Sequence, residues 1–108
     1  MNNRLYLRCV AEMKEDFGVF CREHGFTPAD CIRAFVREVI VEGHIPAEYF
    51  DMSIMADVEK MPKNDRIYVR VSEEERDSFQ ALCEGAQISD VLRNYIMRCL
   101  MQGKAKTE

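Results

Sequence analysis

Residues 66 to 77 read Arg66-Ile-Tyr-Val-Arg-Val-Ser-Glu-Glu-Glu-Arg-Asp77, and the apolar period changes at Ser72. Before it, Ile67, Val69 and Val71 alternate with Arg66, Tyr68 and Arg70, the two-residue period of a strand buried on one face. At Ser72 the pattern turns helical. Ser72 followed by Glu75 has the spacing of a capping box, in which hydroxyl and carboxylate each satisfy an orphan backbone N–H, and predicts a helix from about Glu73 to Glu84. The stretch from Arg4, "RLYLRCVAEMKED", spells nearly the same thing: Arg4, Tyr6 and Arg8 oppose Leu5, Leu7 and Cys9.

The likeness extends along the chain as an internal repeat. A shift of 62 positions superposes Arg4 on Arg66, Tyr6 on Tyr68, Arg8 on Arg70, Glu12 on Glu74, Phe17 on Phe79 and Cys21 on Cys83. A shift of 60 then brings Asp30 onto Asp90, Arg33 onto Arg93 and Gly43 onto Gly103, so the second copy has a turn two residues shorter. In each copy the strand is followed by two helices. The first copy's leading helix is predicted from about Ala11 to Glu23, ending near His24 and Gly25. Cys31, Ile32, Phe35, Val36, Val39 and Ile40 then recur at helical spacing, and Val91, Leu92, Tyr95, Ile96, Cys99 and Leu100 match them. Thr27 with Pro28 provides a cap and a proline at the first helical position; Ser89 with Asp90 is expected to serve the second copy.

A strand and two helices cannot enclose a core alone, and 108 residues with 47% hydrophobic content suffice for one compact domain. Each copy is therefore expected to need the other. Antiparallel pairing of the two strands would satisfy their backbone groups at the same time. The predicted fold is mainly α with a two-stranded antiparallel ribbon, a tandem pseudo-dimer sharing one core. The predicted units are residues 1–43 and 66–103, joined by 44–65 and followed by a frayed tail at 104–108. Residues Tyr49, Phe50, Met52, Ile54, Met55, Val58 and Met61 make the joint too apolar for a solvated tether, so a short helix packed on the body is expected after Pro46.

The net charge of −4 argues against coating nucleic acid or membrane through bulk charge, though not against a local basic patch. Five cysteines without a C-x-x-C pair, no charged-then-apolar leader and no long apolar run predict a reducing, cytoplasmic setting without membrane insertion. Cys9, Cys21, Cys31, Cys83 and Cys99 are expected to act as small buried hydrophobes. No metal or other cofactor is expected. Cys21 and His24 share a ligand-like spacing, but Ala86 replaces the histidine in the second copy, and His24 is better read as a helix-end residue. No catalytic triad, phosphate-cradling glycine loop or carboxylate pair is present, and the chain is expected not to be an enzyme.

A ribbon with apolar residues inward would present Arg4, Tyr6, Arg8, Arg66, Tyr68 and Arg70 outward. The DNA major groove admits such a ribbon, and arginine can meet guanine O6 and N7 with two hydrogen bonds. Each copy resembles the ribbon-helix-helix family, that of the Arc and methionine repressors, on the strands "RIYVRVS" and "RLYLRCV", the acidic first helix, and the second-helix openings "FTPADCIR" and "ISDVLR". The resemblance covers about 80 of the 108 residues. It implies sequence-specific binding of double-stranded DNA, with those six side chains at the bases and the second-helix starts, Thr27 and Ala29 in one copy and Ser89 in the other, at phosphates. Gln87 stands where the first copy has Thr27, so the second copy's phosphate clamp is expected to be weaker or shifted. Arg33 and Arg93 are expected to be structural.

The resemblance implies a transcriptional repressor or regulator of bacterial, plasmid or phage type. The tandem layout is also similar to that of relaxosome accessory proteins of F-type conjugative plasmids. Family members often bind DNA as adjacent pairs, so self-association of pseudo-dimers on DNA is a further expectation. An antitoxin-like alternative places a protein partner at residues 44–65.

Overall fold

A computed structural model of the chain describes residues 3–55 and 60–102. The order is β1 (Asn3–Cys9), α1 (Ala11–Glu23), α2 (Pro28–Glu42), two 3-10 turns (Ala47–Phe50 and Met52–Met55), β2 (Asp65–Val71), α3 (Glu73–Leu82) and α4 (Ile88–Gln102). The protein is mainly helical, with one two-stranded antiparallel sheet.

The strands pair with Arg4 opposite Arg70, Tyr6 opposite Tyr68 and Arg8 opposite Arg66, so the two tyrosines related by the repeat face one another. This register follows from burial. It puts Leu5, Leu7, Cys9, Ile67, Val69 and Val71 on one face, all buried, and a slip of one residue would turn the arginines into the core. Each large apolar side chain removed from water there contributes up to about 1.5 to 3 kcal/mol.

Helix ends follow the local chemistry. At α2 the Thr27 hydroxyl accepts the Asp30 N–H at 3.1 Å, the Asp30 carboxylate accepts the Thr27 N–H at 3.4 Å, and Pro28 fills the first position. At α3 the Ser72 hydroxyl accepts the Glu75 N–H at 3.1 Å, and the Glu75 carboxylate accepts the Ser72 N–H at 2.9 Å. α1 has the predicted bounds, and the Nδ1–H of His24 donates to the Phe20 carbonyl at 2.8 Å. Two boundaries differ from expectation. α3 stops at Leu82 because the shortened turn takes Glu84 and Gly85 into the left-handed region, φ 53° and 92°. α4 begins at Ile88, not after Ser89: the N–H groups of Asp90 and Val91 already donate to the Gln87 carbonyl, which puts Ser89 inside the first turn.

Buried side chains from both strands and all four helices form one continuous cluster. Phe35 of α2 stacks on Tyr95 of α4 with ring centroids 4.3 Å apart, and Phe17 of α1 and Phe79 of α3 meet this pair edge-on. Residues 44–65 contribute to the same cluster: Tyr49 packs against Phe35 at 5.0 Å, and Met55 is fully buried. The expected short helix after Pro46 is a 3-10 turn, closed by the Tyr49 N–H on the Pro46 carbonyl at 3.0 Å. Asn94 of α4 donates to the Asp51 carbonyl at 2.8 Å and holds this segment down. Of the sequence-based expectations, those for Val58, Gly103 and the tail at 104–108 lie outside the described residues.

None of the five cysteines is in a disulfide, and all are buried. Burial raises the thiols of Cys9 and Cys21, the latter helped by Cys31, and pushes Cys83 up to about 11. Carboxylates shift the other way. Glu75 is lowered by the Ser72 N–H and then by Arg37, Asp65 by the Arg66 N–H and then by Lys14, and Asp30 and Asp51 by Thr27 and Ser53. A carboxyl group lowered in the folded state stabilises above its unfolded value, near pH 4, and that contribution is lost as pH falls through the folded value. The melting temperature should thus hold from pH 7 to about 5 and fall below about 4. Thermal melts followed by circular dichroism that show no decline at pH 3 would contradict this.

Candidate nucleic-acid interface

The outward face of the ribbon carries all six side chains predicted for it. Arg4, Arg8, Arg66 and Arg70 are exposed, and Tyr6 and Tyr68 are 37% and 50% accessible. The two phenol rings lie 5.5 Å apart at the centre. Across the strands, the Arg4 guanidinium lies 5.5 Å from the Tyr68 ring centroid and that of Arg66 lies 5.9 Å from the Tyr6 ring. Exposed contacts of this kind are worth about 0.5 to 1 kcal/mol each. The Tyr6 phenol, and after it Tyr68, raises the Arg66 pKa further.

Arg8 donates to the Lys63 carbonyl at 3.2 Å, while Arg70 makes no ion pair with a described residue. The register sets arginine directly opposite arginine twice, an arrangement that disfavours pairing when nothing neutralises it. Four positive groups therefore crowd one small face of a protein whose net charge is −4. Hydrogen-bond donors and flat apolar rings alternate across that face.

The second helix of each repeat starts at a ribbon edge, tied there by equivalent arginines. Arg33 donates to the Arg70 carbonyl at 2.9 Å and pairs with Asp30 at 3.0 Å. Arg93 donates to the Arg8 carbonyl at 2.7 Å and pairs with Asp90. Both have the structural role expected of them. Ser89 also belongs to this junction, its hydroxyl donating to the Tyr6 carbonyl at 3.3 Å.

Thr27, Ala29 and Ser89 lie at the helix starts where the sequence placed phosphate contacts, but the two starts differ. At α2 the Thr27 hydroxyl and N–H are engaged in the capping box with Asp30, leaving the Ala29 N–H in the first turn, where a helix has no internal partner for it. At α4 a pocket of about 400 Å³ opens beside the ribbon, lined by Tyr6, Arg8, Lys63, Gln87, Ser89 and Arg93. Lys63 and Gln87 were not among the predicted contacts. The signal for Lys63 was its place in the Pro62–Asp65 turn leading into β2; what the sequence lacked was the strand register that brings this turn beside Arg8.

Among the described residues no group of three His, Cys, Asp or Glu side chains could hold a metal ion, and no helix is long and apolar enough to cross a membrane. Neither a protein-family model, a curated protein nor a solved structure matches the chain.

Proposed function

We propose that this protein is a tandem ribbon-helix-helix pseudo-dimer whose two halves share one core, and that it binds double-stranded DNA sequence-specifically by laying its ribbon in the major groove. The observation that carries the reading is the antiparallel register: it collects Arg4, Tyr6, Arg8, Arg66, Tyr68 and Arg70 on one exposed face, centred on the tyrosine pair. A major groove about 12 Å wide accepts a two-stranded ribbon, and guanidinium groups meet guanine edges there. The helix starts at Thr27, Ala29 and Ser89, flanking the ribbon, suit backbone phosphates. The pocket that Lys63 and Ser89 line supports a phosphate contact on the α4 side shifted toward Lys63.

The protein acts by occupancy, as a repressor or regulator at an operator, or as an accessory factor marking a transfer origin. It has no chemistry of its own and needs no cofactor. The antitoxin-like alternative at residues 44–65 loses ground to the burial of Tyr49 and Met55 and the partial burial of Phe50 and Ile54. Serine at those positions would disturb the core as well as any partner surface.

Selection of the full chain on random duplexes tests the function. The halves differ in turn length and phosphate clamp, so the enriched site should contain two imperfect half-sites. A strictly symmetric site would contradict divergence of the halves, and failure to enrich any sequence would sink the reading. With few phosphate contacts from an acidic protein, the affinity should also fall only shallowly with salt.

A further inference from the structure

α1 and α4 border an apolar groove of about 320 Å³, lined by none of the six ribbon side chains, whose walls include Met13, Met61, Met97, Leu100 and Met101. Met61 and Met101 are 40% and 64% accessible. Glu12 and Asp16, both exposed, belong to the same lining, which contains no basic side chain. Methionine is unbranched and polarisable, so a groove built from it can adapt to apolar side chains of varied shape.

The internal repeat makes this groove informative. Met13 corresponds to Glu75 in the second copy, and Met97 to Arg37 in the first. At the repeat-related seam, between α2 and α3, the two positions form an ion pair, Arg37 Nε to Glu75 Oε2 at 2.7 Å. The equivalent place between α1 and α4 holds two thioethers instead. Asp16 likewise stands where the other half has Ser78. The α2–α3 seam is thus closed by an ion pair, while its α1–α4 counterpart is, among the described residues, apolar and acid-rimmed.

We infer that the groove receives an amphipathic peptide segment of a protein partner, with apolar anchors on the methionines and lysine or arginine beside Glu12 and Asp16. Charge complementarity selects the basic segment: the lining is acidic, and the protein's net charge of −4 disfavours an acidic one. α4 connects the groove to the ribbon. Its Arg93 holds the Arg8 carbonyl, and Met97, Leu100 and Met101 follow along the same helix. The inference does not depend on DNA binding, since neither the ribbon arginines nor the helix starts take part.

A displayed random-peptide library, selected on the full-length wild-type chain, tests it. Enriched peptides should combine apolar anchors with lysine or arginine and bind at least ten-fold more weakly to M13E/M97R, which installs the ion pair of the α2–α3 seam. The charge variant E12Q/D16N should weaken them several-fold. M61S/M101S changes only exposed side chains and supplies the same comparison should M13E/M97R lose its helical circular dichroism. Absence of enrichment, peptides without basic residues, or equal binding to the groove variants would overturn the proposal. Self-association of the wild-type chain in light scattering, lost in M61S/M101S, would also overturn it, because the occupant would then be a second copy.

Discussion

Replacing Arg8 and Arg70 together by alanine is expected to abolish sequence-selective DNA binding while leaving the chain folded. Each bidentate arginine–guanine contact is worth about 1 to 3 kcal/mol of discrimination, so losing two costs about 2 to 6 kcal/mol, an affinity loss of some 30-fold or more. The fold should tolerate the change. Both side chains are exposed, Arg8 faces Arg66 and Arg70 faces Arg4 across the strands, and their removal relieves like-charge repulsion. The carbonyls of Arg8 and Arg70, which anchor Arg93 and Arg33, belong to the backbone and survive the substitution. Fluorescence anisotropy on a selected duplex, with circular dichroism as the folding control, reads both effects. Unchanged affinity in a folded variant would refute the ribbon assignment.

The largest effect on stability is expected at Tyr95. Its ring is fully enclosed, stacked on Phe35 at 4.3 Å and met edge-on by Phe17 at 6.4 Å, and its hydroxyl donates to the Cys31 carbonyl at 3.3 Å. Tyr95→Ala leaves a ring-sized void where α1, α2 and α4 meet, at a cost of about 3 to 5 kcal/mol. A domain of this size has only about 5 to 15 kcal/mol in total, so the variant should lose a large share of its stability and unfold at a much lower denaturant concentration. Tyr95→Phe removes only the hydroxyl and should cost about 0.5 to 1.5 kcal/mol. Chemical denaturation of the two variants separates the contributions. A loss under 1 kcal/mol for Tyr95→Ala would mean that this ring does not join the halves.

Much of this arrangement was written locally. Alternation at Leu5, Leu7, Ile67 and Val69 specified which strand face is buried, and the Ser72–Glu75 and Thr27–Asp30 pairs marked two helix starts through contacts only three residues apart. The start of α4 was less legible, because Gln87, whose carbonyl accepts the first helical hydrogen bonds, is not a recognisable capping residue. Ser89 resembles a cap residue yet spends its hydroxyl on Tyr6, 83 positions away. The left-handed Glu84 was hidden for a similar reason: a glutamate in that conformation is dictated by the short turn, not by its own preference.

The candidate site divides in the same way. The six outward side chains follow from a period of two. Their mutual contacts require the register: Arg4 meets Tyr68 rather than its neighbour Tyr6, and the Pro62–Asp65 turn comes beside Arg8 only once the strands pair. The methionine groove also depends on pairing across the chain. Met13 and Met97 are 84 positions apart, and each alone looks like an ordinary core residue on a helical stripe. The missing ion pair becomes visible only when Arg37 and Glu75 are seen in contact at the α2–α3 seam.

The central claim is that the ribbon reads base edges in the major groove, and replacing guanine by 7-deazaguanine at each contacted position of a selected duplex tests it most directly. That change deletes one major-groove acceptor and leaves base pairing and the minor groove intact. A loss of affinity of ten-fold or more, confined to positions whose effect disappears in the Arg→Ala variants of the ribbon, is the predicted result. Equal affinity for the substituted and unsubstituted duplexes at every guanine would contradict it.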